Sequence, residues 1–345
     1  MTYAVPFVDL DVREEDVAAA VAVLRSGHLN EGPVVHDLEQ AFTEYTGAKH
    51  AIATTSGTAA IFLAVYAWLD SIHFRNVGIW VPDRTFFGTA SAIRLAGEDV
   101  RLYDQNPGRY SGTNELCVVA HLSGRICLPK RELPMIEDCA HALGSRHGSN
   151  HAGTFGLAGC FSFQAEKLIG IGQGGMVITN SDRIAGRIRE LKNQGWRGPK
   201  SGEGGDAHPS LGFNFRMTDY QAALALGQLQ RIGEKIQEKW EADCIWTLCD
   251  MDCTVHGSRD EIPIWKVARF ARNEVRERAF TAIRAMGVEC RRHYPPLHRQ
   301  PPFGGAGDFP VSSMICDTEL WLPNNRFVTK EIARKVAEII HRECA

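Results

Sequence analysis

Two short apolar runs that each end in a chemically active side chain constrain the fold of this chain more than any other feature. The first run ends at Asp138, and the second begins at Cys160 and ends at Ser162, with Lys167 just beyond it. Short apolar runs bounded by turn residues are typical of buried strands in an α/β sheet. We therefore expect a carboxylate and an amine at the ends of two buried strands.

A carboxylate and an amine so placed are the groups that a pyridoxal 5'-phosphate (PLP) enzyme needs. A lysine holds the cofactor aldehyde as a Schiff base, and a carboxylate keeps the pyridine nitrogen protonated, so that the ring accepts electrons from the substrate carbon. Lys167 and Asp138 are predicted to take these roles. Most lysines are exposed loop residues, so the combination with Asp138 and with the turn described next carries the interpretation.

A small-residue turn at Thr55-Ser56-Gly57-Thr58 joins a strand-like segment, residues 50–54, to a predicted helix. The first N–H groups of a helix lack intrahelical partners and lie at the positive end of its dipole, where phosphate binds. Ser56 or Thr58 can also simply cap the helix. The two interpretations are compatible, because a capped helix end still binds an anion.

The glycines at residues 170–175 match the dinucleotide-binding pattern G-x-G-x-x-G. That fingerprint requires a following helix and an acidic residue about 20 positions further on. Here residues 176–179 read as a strand, and position 195 is glycine. The glycines are therefore expected to allow tight backbone turns rather than to bind a dinucleotide.

These segments resemble the DegT/DnrJ/EryC1/StrS family of PLP-dependent aminotransferases, which act mostly on nucleotide-linked keto-sugars. The motifs that carry the resemblance are S-F-x-x-x-K ending at Lys167, the G-x-G-G at residues 172–175 and the G-x-N-x-R-M-T at residues 212–218. The similarity runs from about Val5 to Pro323. It implies an α/β fold of the fold-type I PLP-dependent transferases, with a mostly parallel seven-stranded sheet.

Two domains are expected, because a chain of 345 residues exceeds the size at which one core usually stops growing. The resemblance implies a large PLP-binding domain over residues 1–234 and a small C-terminal α+β domain over residues 235–345. The N-terminal segment can pack on the small domain. Between residues 104 and 131 the chain is shorter than the family pattern, so one face of the sheet is expected to be less covered.

The resemblance also assigns individual roles. The predicted cofactor-binding residues are Gly57, Thr58, Phe86, Asp138, His141, Ser162, Lys167 and Asn214, and the predicted substrate-binding residues are His293, Tyr294 and His298. Phe86 is expected to stack on the pyridine ring, and Ser162 to complete the phosphate site. Asn214 is expected to reach the phosphate of a neighbouring subunit, which implies a homodimer with shared active sites.

Three of these assignments have plainer alternatives. An aromatic residue at a strand end, such as Phe86, is often ordinary core. His141 is equally compatible with a packing role beside the site. The loop at residues 291–299 gathers cationic groups that suit an anionic nucleotide-sugar diphosphate, but a solvated loop has the same composition.

Composition excludes several other classes. The net charge is −3 and no basic block dominates, so neither nucleic acid nor a membrane surface is an expected partner. No apolar run reaches the roughly 18 residues of a membrane span and the N-terminus lacks a leader pattern, so a cytoplasmic protein is expected. Cys244, Cys249 and Cys253 lack zinc-ligand spacing, and no metal is expected.

The reaction implied is transamination, in which an amino group passes from glutamate or glutamine to a keto-sugar nucleotide. Lys167 is then both the covalent anchor and the general acid and base. A PLP-dependent sugar dehydratase is a first alternative, disfavoured because that branch of the family replaces the lysine with histidine. A non-catalytic regulatory or scaffold protein is a second, disfavoured by the intact Lys167, Asp138 and Ser162. The sequence specifies neither the sugar, nor the carbon aminated, nor the donor.

Overall fold

The computed structural model describes residues 3–73, 76–104, 115–129, 133–197, 208–249, 260–305 and 307–344. Residues 105–114 and 130–131 of the shortened region, and Cys253, lie outside these residues. Within the described part, no helix is both long and apolar enough to cross a membrane.

The described strands are β1 (His50–Thr54), β2 (Ile79–Pro82), β3 (Val100–Tyr103), β4 (Leu116–Ala120), β5 (Met135–Asp138), β6 (Arg146–His147), β7 (Asn150–His151), β8 (Ala158–Ser162), β9 (Gly175–Thr179), β10 (Lys266–Arg269), β11 (Arg291–Arg292) and β12 (Glu319–Leu322). The described α-helices are α1 (Glu14–Ser26), α2 (Pro33–Thr46), α3 (Gly57–Ile72), α4 (Phe87–Leu95), α5 (Asp182–Lys192), α6 (Asp219–Gln230), α7 (Ile232–Leu248), α8 (Asn273–Ala285), α9 (Pro310–Thr318) and α10 (Lys330–Cys344). The predicted alternation of strands and helices is confirmed.

The main sheet has seven strands among the described residues, in the order β1-β9-β8-β5-β4-β2-β3. Only β9 runs against its neighbours, so the sheet is mostly parallel, as expected. All five residues of β4 are buried, which fits a strand covered on both faces. Strands β5 and β8 pair directly, with Asp138 opposite Cys160. This pairing places Asp138 and Ser162 at the same edge of the sheet.

Two cores flank this sheet. One is built mainly on α3, which contributes nine buried residues that pack with α4, α5 and one face of the strands. The other contains α2 and α6 on the opposite face. Helix α3 begins directly after β1, where the Ser56 side chain accepts a hydrogen bond of 3.1 Å from the N–H of Ala59. The burial of α3 therefore fixes its N-terminus at the edge where the parallel strands end.

The C-terminal part has a three-stranded antiparallel sheet, in the order β10-β12-β11. Helices α7, α8 and α10 share its core, and Val5 from the N-terminal segment lies in the same core and bridges to Val288. The proposed division at residue 235 falls in the first turn of α7, and the two-domain assignment stays a prediction. Regular strand pairing in this part of the chain begins at Lys266.

The glycine-rich segment is followed by β9, which confirms that a dinucleotide-binding turn is absent there. The sheet face at β3, β4 and β5 has a small cluster of its own, formed by Tyr103, Cys117, Val119 and Met135. These four side chains are buried.

Candidate active site

A cavity of about 420 Å³ lies at the edge of the sheet where β4, β5 and β8 end. Its volume is in the range of small-molecule sites. The predicted residues that line it are Gly57, Thr58, Phe86, Asp138, His141, Ser162, Lys167 and Tyr294. The sequence therefore predicted eight of the residues that line this cavity.

Asp138 is buried, and its carboxylate is held by two donors. The Thr89 hydroxyl donates to Oδ2 at 2.7 Å, and the N–H of Ala140 donates to Oδ1 at 3.1 Å. Thr89 also lies 3.1 Å from the Thr85 hydroxyl. These contacts fix the orientation of the carboxylate. Sequence reasoning missed Thr89, because a threonine inside a helix has no signal until α4 is known to pack beside β5.

Lys167 reaches the cavity from the loop after β8. Burial lowers the pKa of its amine to about 8, although the nearby charges of Asp138 and Glu166 raise it and so oppose burial. An amine with this pKa is partly neutral near neutral pH. Only the neutral amine attacks a carbonyl, so burial in the cavity wall makes the Lys167 amine a more reactive nucleophile.

The start of α3 and the end of β8 approach each other so closely that only glycine fits between them. A Cβ on Gly57 would lie 2.8 Å from the Cβ of Ser162, and a Cβ on Gly175 would lie 2.4 Å from the carbonyl oxygen of Ser56. The first N–H groups of α3 and the Ser162 hydroxyl thus border the same corner of the cavity. This corner has the chemistry of an anion site.

His141 and Tyr294 form a second wall. The N–H of Ser123 lies 3.5 Å from His141 Nδ1, which leaves Nε2 to donate to the Tyr294 hydroxyl at 3.3 Å. Burial, with smaller effects from Lys167 and His293, holds the pKa of His141 well below its usual value. Burial likewise raises the pKa of the Tyr294 hydroxyl. Both rings therefore contribute neutral hydrogen-bonding groups.

Phe86 projects at the mouth of the cavity. Its ring is 54% exposed, which is unlike a core aromatic residue, and its centroid lies 5.2 Å from that of Tyr294. The core alternative for Phe86 is therefore disfavoured, and an aromatic face is available to a flat ligand.

Three predicted residues do not line the cavity. Asn214 is exposed and accepts a hydrogen bond of 3.3 Å from Arg216. His293 is buried against Trp321, at 4.8 Å between ring centroids, and burial lowers its pKa to about 3. His298 Nδ1 lies 2.7 Å from Asp83 Oδ2. Their predicted roles stay predictions.

His121, Glu137 and Cys139 bring potential metal-ligand atoms within 4.8 Å of one another. The acceptor positions of the Glu137 carboxylate are already occupied by hydrogen bonds, however. It accepts hydrogen bonds from the N–H groups of residues 153, 155 and 156, at 2.7 to 2.8 Å, and from His121 Nε2 at 3.0 Å. A carboxylate has about four acceptor positions, so this trio is a structural network.

Several residues that line the cavity were not selected from the sequence: Thr89, Gln164, Glu166, Gln173 and Arg291. Arg291 belongs to the cationic loop that the sequence did single out, whereas its neighbour Arg292 lies outside the cavity and pairs with Glu277. Glu166 directly precedes Lys167. Its position next to a reactive lysine is a signal that sequence reasoning left unused.

The geometry fits PLP. A lysine with a lowered pKa, an oriented carboxylate, an anion site at a helix start and an exposed aromatic ring surround one cavity on a mostly parallel sheet. The class that this fold and site define is the fold-type I PLP-dependent enzymes.

Comparison with known proteins gives the family. The chain matches the DegT/DnrJ/EryC1/StrS aminotransferase family over residues 10–116 and 124–341, and it belongs to that family. A GDP-perosamine synthase of Caulobacter vibrioides is 27% identical over 343 residues, covering 89% of this chain and 90% of that protein. The structure is similar to Helicobacter pylori PseC, an aminotransferase of pseudoaminic acid biosynthesis, with a TM-score of 0.88 at 20% identity over 100% of this chain and 99% of that one.

A further solved structure, of DesI in the presence of its TDP-sugar product, is similar with a TM-score of 0.84 at 24% identity, covering 99% of this chain and 94% of that one. The expectation of a PLP-dependent aminotransferase is confirmed, and the relatives are sugar aminotransferases. The scaffold alternative is accordingly set aside.

Proposed function

We propose that this aminotransferase transfers an amino group from glutamate or glutamine to a keto-sugar nucleotide. The observation that carries the proposal is that Lys167, Asp138 and Ser162 border one cavity with the start of α3. The acceptor class is supported by relatives whose names refer to nucleotide sugars, among them the GDP-perosamine synthase and DesI with its TDP-sugar product.

The residues of the cavity divide into holding and reacting groups. PLP, when bound, supplies an aldehyde and a ring that accepts an electron pair. Ser162, Gly57 and Thr58 would hold the phosphate, and Phe86 would stack on the ring. Asp138, fixed by Thr89, would be the carboxylate that pairs with the ring nitrogen.

Lys167 is the proton carrier of both halves of the reaction. Its Nζ accepts the proton from the α-carbon of the donor, and in the second half it delivers a proton to the sugar carbon that receives the amino group. The pKa near 8 suits both directions, because the amine both accepts and releases protons near neutral pH. His141 and Tyr294 supply hydrogen bonds in the same cavity, and Tyr294 is proposed to contact the substrate.

The site is proposed to be shared between two subunits. Asn214 is exposed and outside the cavity of its own chain, a position that suits a contact with a second copy. A mixed dimer of Lys167→Ala and Asn214→Ala subunits would contain one doubly defective site and one intact site. If Asn214→Ala alone is impaired, subunit exchange between the two variants should restore activity toward half of wild type per mixed dimer. No restoration despite demonstrated exchange contradicts sharing.

The experiment that tests the proposed function is an assay of the PLP-loaded protein against a panel of keto-sugar nucleotides, with glutamate and glutamine as donors. We expect one sugar to gain an amino group and the donor to become its 2-oxo acid. Loss of a sugar hydroxyl without amino transfer would instead identify a dehydratase. An absence of transfer from both donors to every member of the panel, in a protein with the visible absorbance of bound PLP, would contradict the proposed pair of substrates.

A further inference from the structure

An aminotransferase admits two chemically different substrates to one cavity. An amino-acid donor has a carboxylate on the carbon that bears the amine, whereas a keto-sugar has hydroxyl groups near the reacting carbon. A cation that binds the donor carboxylate would be left unpaired in the wall when the sugar enters, and an unpaired charge in a partly buried wall is costly. The cavity therefore needs a cation whose charge is compensated in both states.

Arg291 has the required position. Among the described residues that line the cavity, Lys167 and Arg291 are the only lysine or arginine. The Arg291 side chain is 33% exposed and forms ion pairs with Glu166 and, at 3.2 Å, with Glu289. Burial has the largest effect on the pKa of Lys167, but the charges of Glu166 and Arg291 both modify it, in opposite directions. The pair thus lies close to the reacting amine.

The two carboxylates around Arg291 are not equivalent. Glu289 does not line the cavity; its other oxygen accepts a hydrogen bond of 2.9 Å from the N–H of Phe7, whose ring lies 4.5 Å from the guanidinium carbon. Glu289 and Phe7, which do not line the cavity, therefore hold the Arg291 guanidinium in place. Glu166 lines the cavity and is 26% exposed, so it has room to turn toward solvent.

We propose that Arg291 binds the α-carboxylate of the amino donor, and that Glu166 is the carboxylate that takes its place when the donor leaves. The proposal rests on the proposed function for the identity of the donor. One negative charge replaces another next to the guanidinium, so Arg291 keeps a partner throughout. When the sugar enters, the pair of Arg291 and Glu166 presents no uncompensated cation to its hydroxyl groups.

The test measures binding of a donor analogue to the PLP-loaded enzyme by calorimetry. The probe is 2-methylglutamate, which has no α-proton to lose, and the comparison ligand is 4-aminopentanoate, the same molecule without its α-carboxylate. Arg291→Met should raise the Kd for 2-methylglutamate by about 10- to 100-fold, the range for one charged hydrogen-bonding partner. The Kd for 4-aminopentanoate should change less than about 2-fold. Arg291→Lys should give an intermediate loss, because the charge is kept but the two-pronged geometry is not.

Two further variants separate this role from a structural one. Glu166→Gln removes the competing charge, so 2-methylglutamate should bind more tightly than to wild type, an effect that mere loss of an ion pair would not produce. Arg292→Met is the matched control, because Arg292 is the adjacent arginine and its partner Glu277 lies outside the cavity; the Kd should stay within about 2-fold. Unchanged binding in Arg291→Met, or weaker binding in Glu166→Gln, overturns the proposal.

Failure of the proposed function gives a different result. If glutamate and glutamine both leave the visible band of the wild-type enzyme unchanged while another amino acid bleaches it, the proposed donor is wrong. The Kd of that amino acid is then measured for the same variants, and this measurement tests the role of Arg291 independently of the proposed donor. If Arg291→Met instead weakens binding of the sugar nucleotide and leaves 2-methylglutamate unaffected, Arg291 recognises the diphosphate and the donor role is excluded.

Discussion

Replacement of Glu137 by glutamine is the perturbation whose cost follows most directly from the structure. The carboxylate is fully buried and accepts four hydrogen bonds, two on each oxygen. Glutamine offers only one oxygen. If that oxygen keeps the N–H groups of residues 155 and 156, the new NH₂ group faces the N–H of Gly153 and the ring of His121.

His121 does not resolve this conflict by changing its tautomer. Its Nδ1 already accepts a hydrogen bond of 3.1 Å from the N–H of Cys127. If the proton moved from Nε2 to Nδ1, the Nδ1–H group would face the N–H of Cys127, and two donors would then oppose each other. Either way at least two buried donors lack an acceptor, at about 1.5–3 kcal/mol each for bonds to a charged group. Glutamine also removes the cost of burying a charge, and this gain offsets part of the loss. The expected net destabilisation of Glu137→Gln is about 3 kcal/mol.

The assay is thermal unfolding of the PLP-loaded protein. A loss of about 3 kcal/mol should lower Tm by about 5 °C or more in a chain of this size. The matched control is Glu98→Gln, because Glu98 is equally buried and, among the described residues, accepts from the N–H groups of Asn76 and Val77, at 3.2 and 2.8 Å. In Glu98→Gln only one of these two donors loses its acceptor, so the Tm of this variant should fall clearly less than that of Glu137→Gln. A Tm within about 1 °C of wild type for Glu137→Gln, or a larger loss in Glu98→Gln, would refute the hydrogen-bond count.

Three predictions concern the site itself. Lys167→Ala should abolish amino transfer, and borohydride treatment of the wild-type enzyme should attach PLP to a peptide that contains Lys167; label on another lysine would move the assignment. Asp138→Asn keeps the shape of the side chain but removes its charge, so PLP should remain bound while turnover falls by orders of magnitude; near-normal turnover would place the essential carboxylate elsewhere. The pKa of Lys167 is lowered to about 8, so the rate of covalent PLP capture by the apoprotein should rise with pH and reach half its maximum near pH 8; a rate that is flat from pH 6.5 to 9.5 would contradict the buried amine.

The parts of the site that sequence predicted are those where local pattern and chemistry coincide. Asp138 and Ser162 end apolar runs, and strand ends of a parallel sheet meet at one edge, so their proximity followed from the pattern alone. The turn before α3 was recognisable because small residues separated a strand from a strongly apolar helix. Short strands in the C-terminal part were harder to predict. Strand β11 has two residues, and only its pairing with β12 defines it.

The residues that sequence did not predict depend on contacts between distant segments. Thr89 became part of the site because α4 packs beside β5, and Arg291 because β11 lies near the loop that carries Lys167. Their sequence separations from their partners are 49 and 125 residues. No local periodicity encodes such contacts. His293 and His298 illustrate the converse: both stand in a motif-like loop, yet their side chains contact Trp321 and Asp83 and do not line the cavity.

The residues proposed to bind PLP and those proposed to bind substrate come from separate stretches of the chain. This arrangement bears on how members of the family diverge and on how they can be redesigned. The groups proposed to bind PLP come from the seven-stranded sheet and the turns at its edge, whereas Arg291 and Tyr294 come from a short segment beginning at β11. Exchange of that segment between relatives would alter the choice of substrate while the machinery around Lys167 stays as it is. A library of residues 289–294 together with Glu166 therefore tests the proposed donor site and offers a compact route to new amino donors.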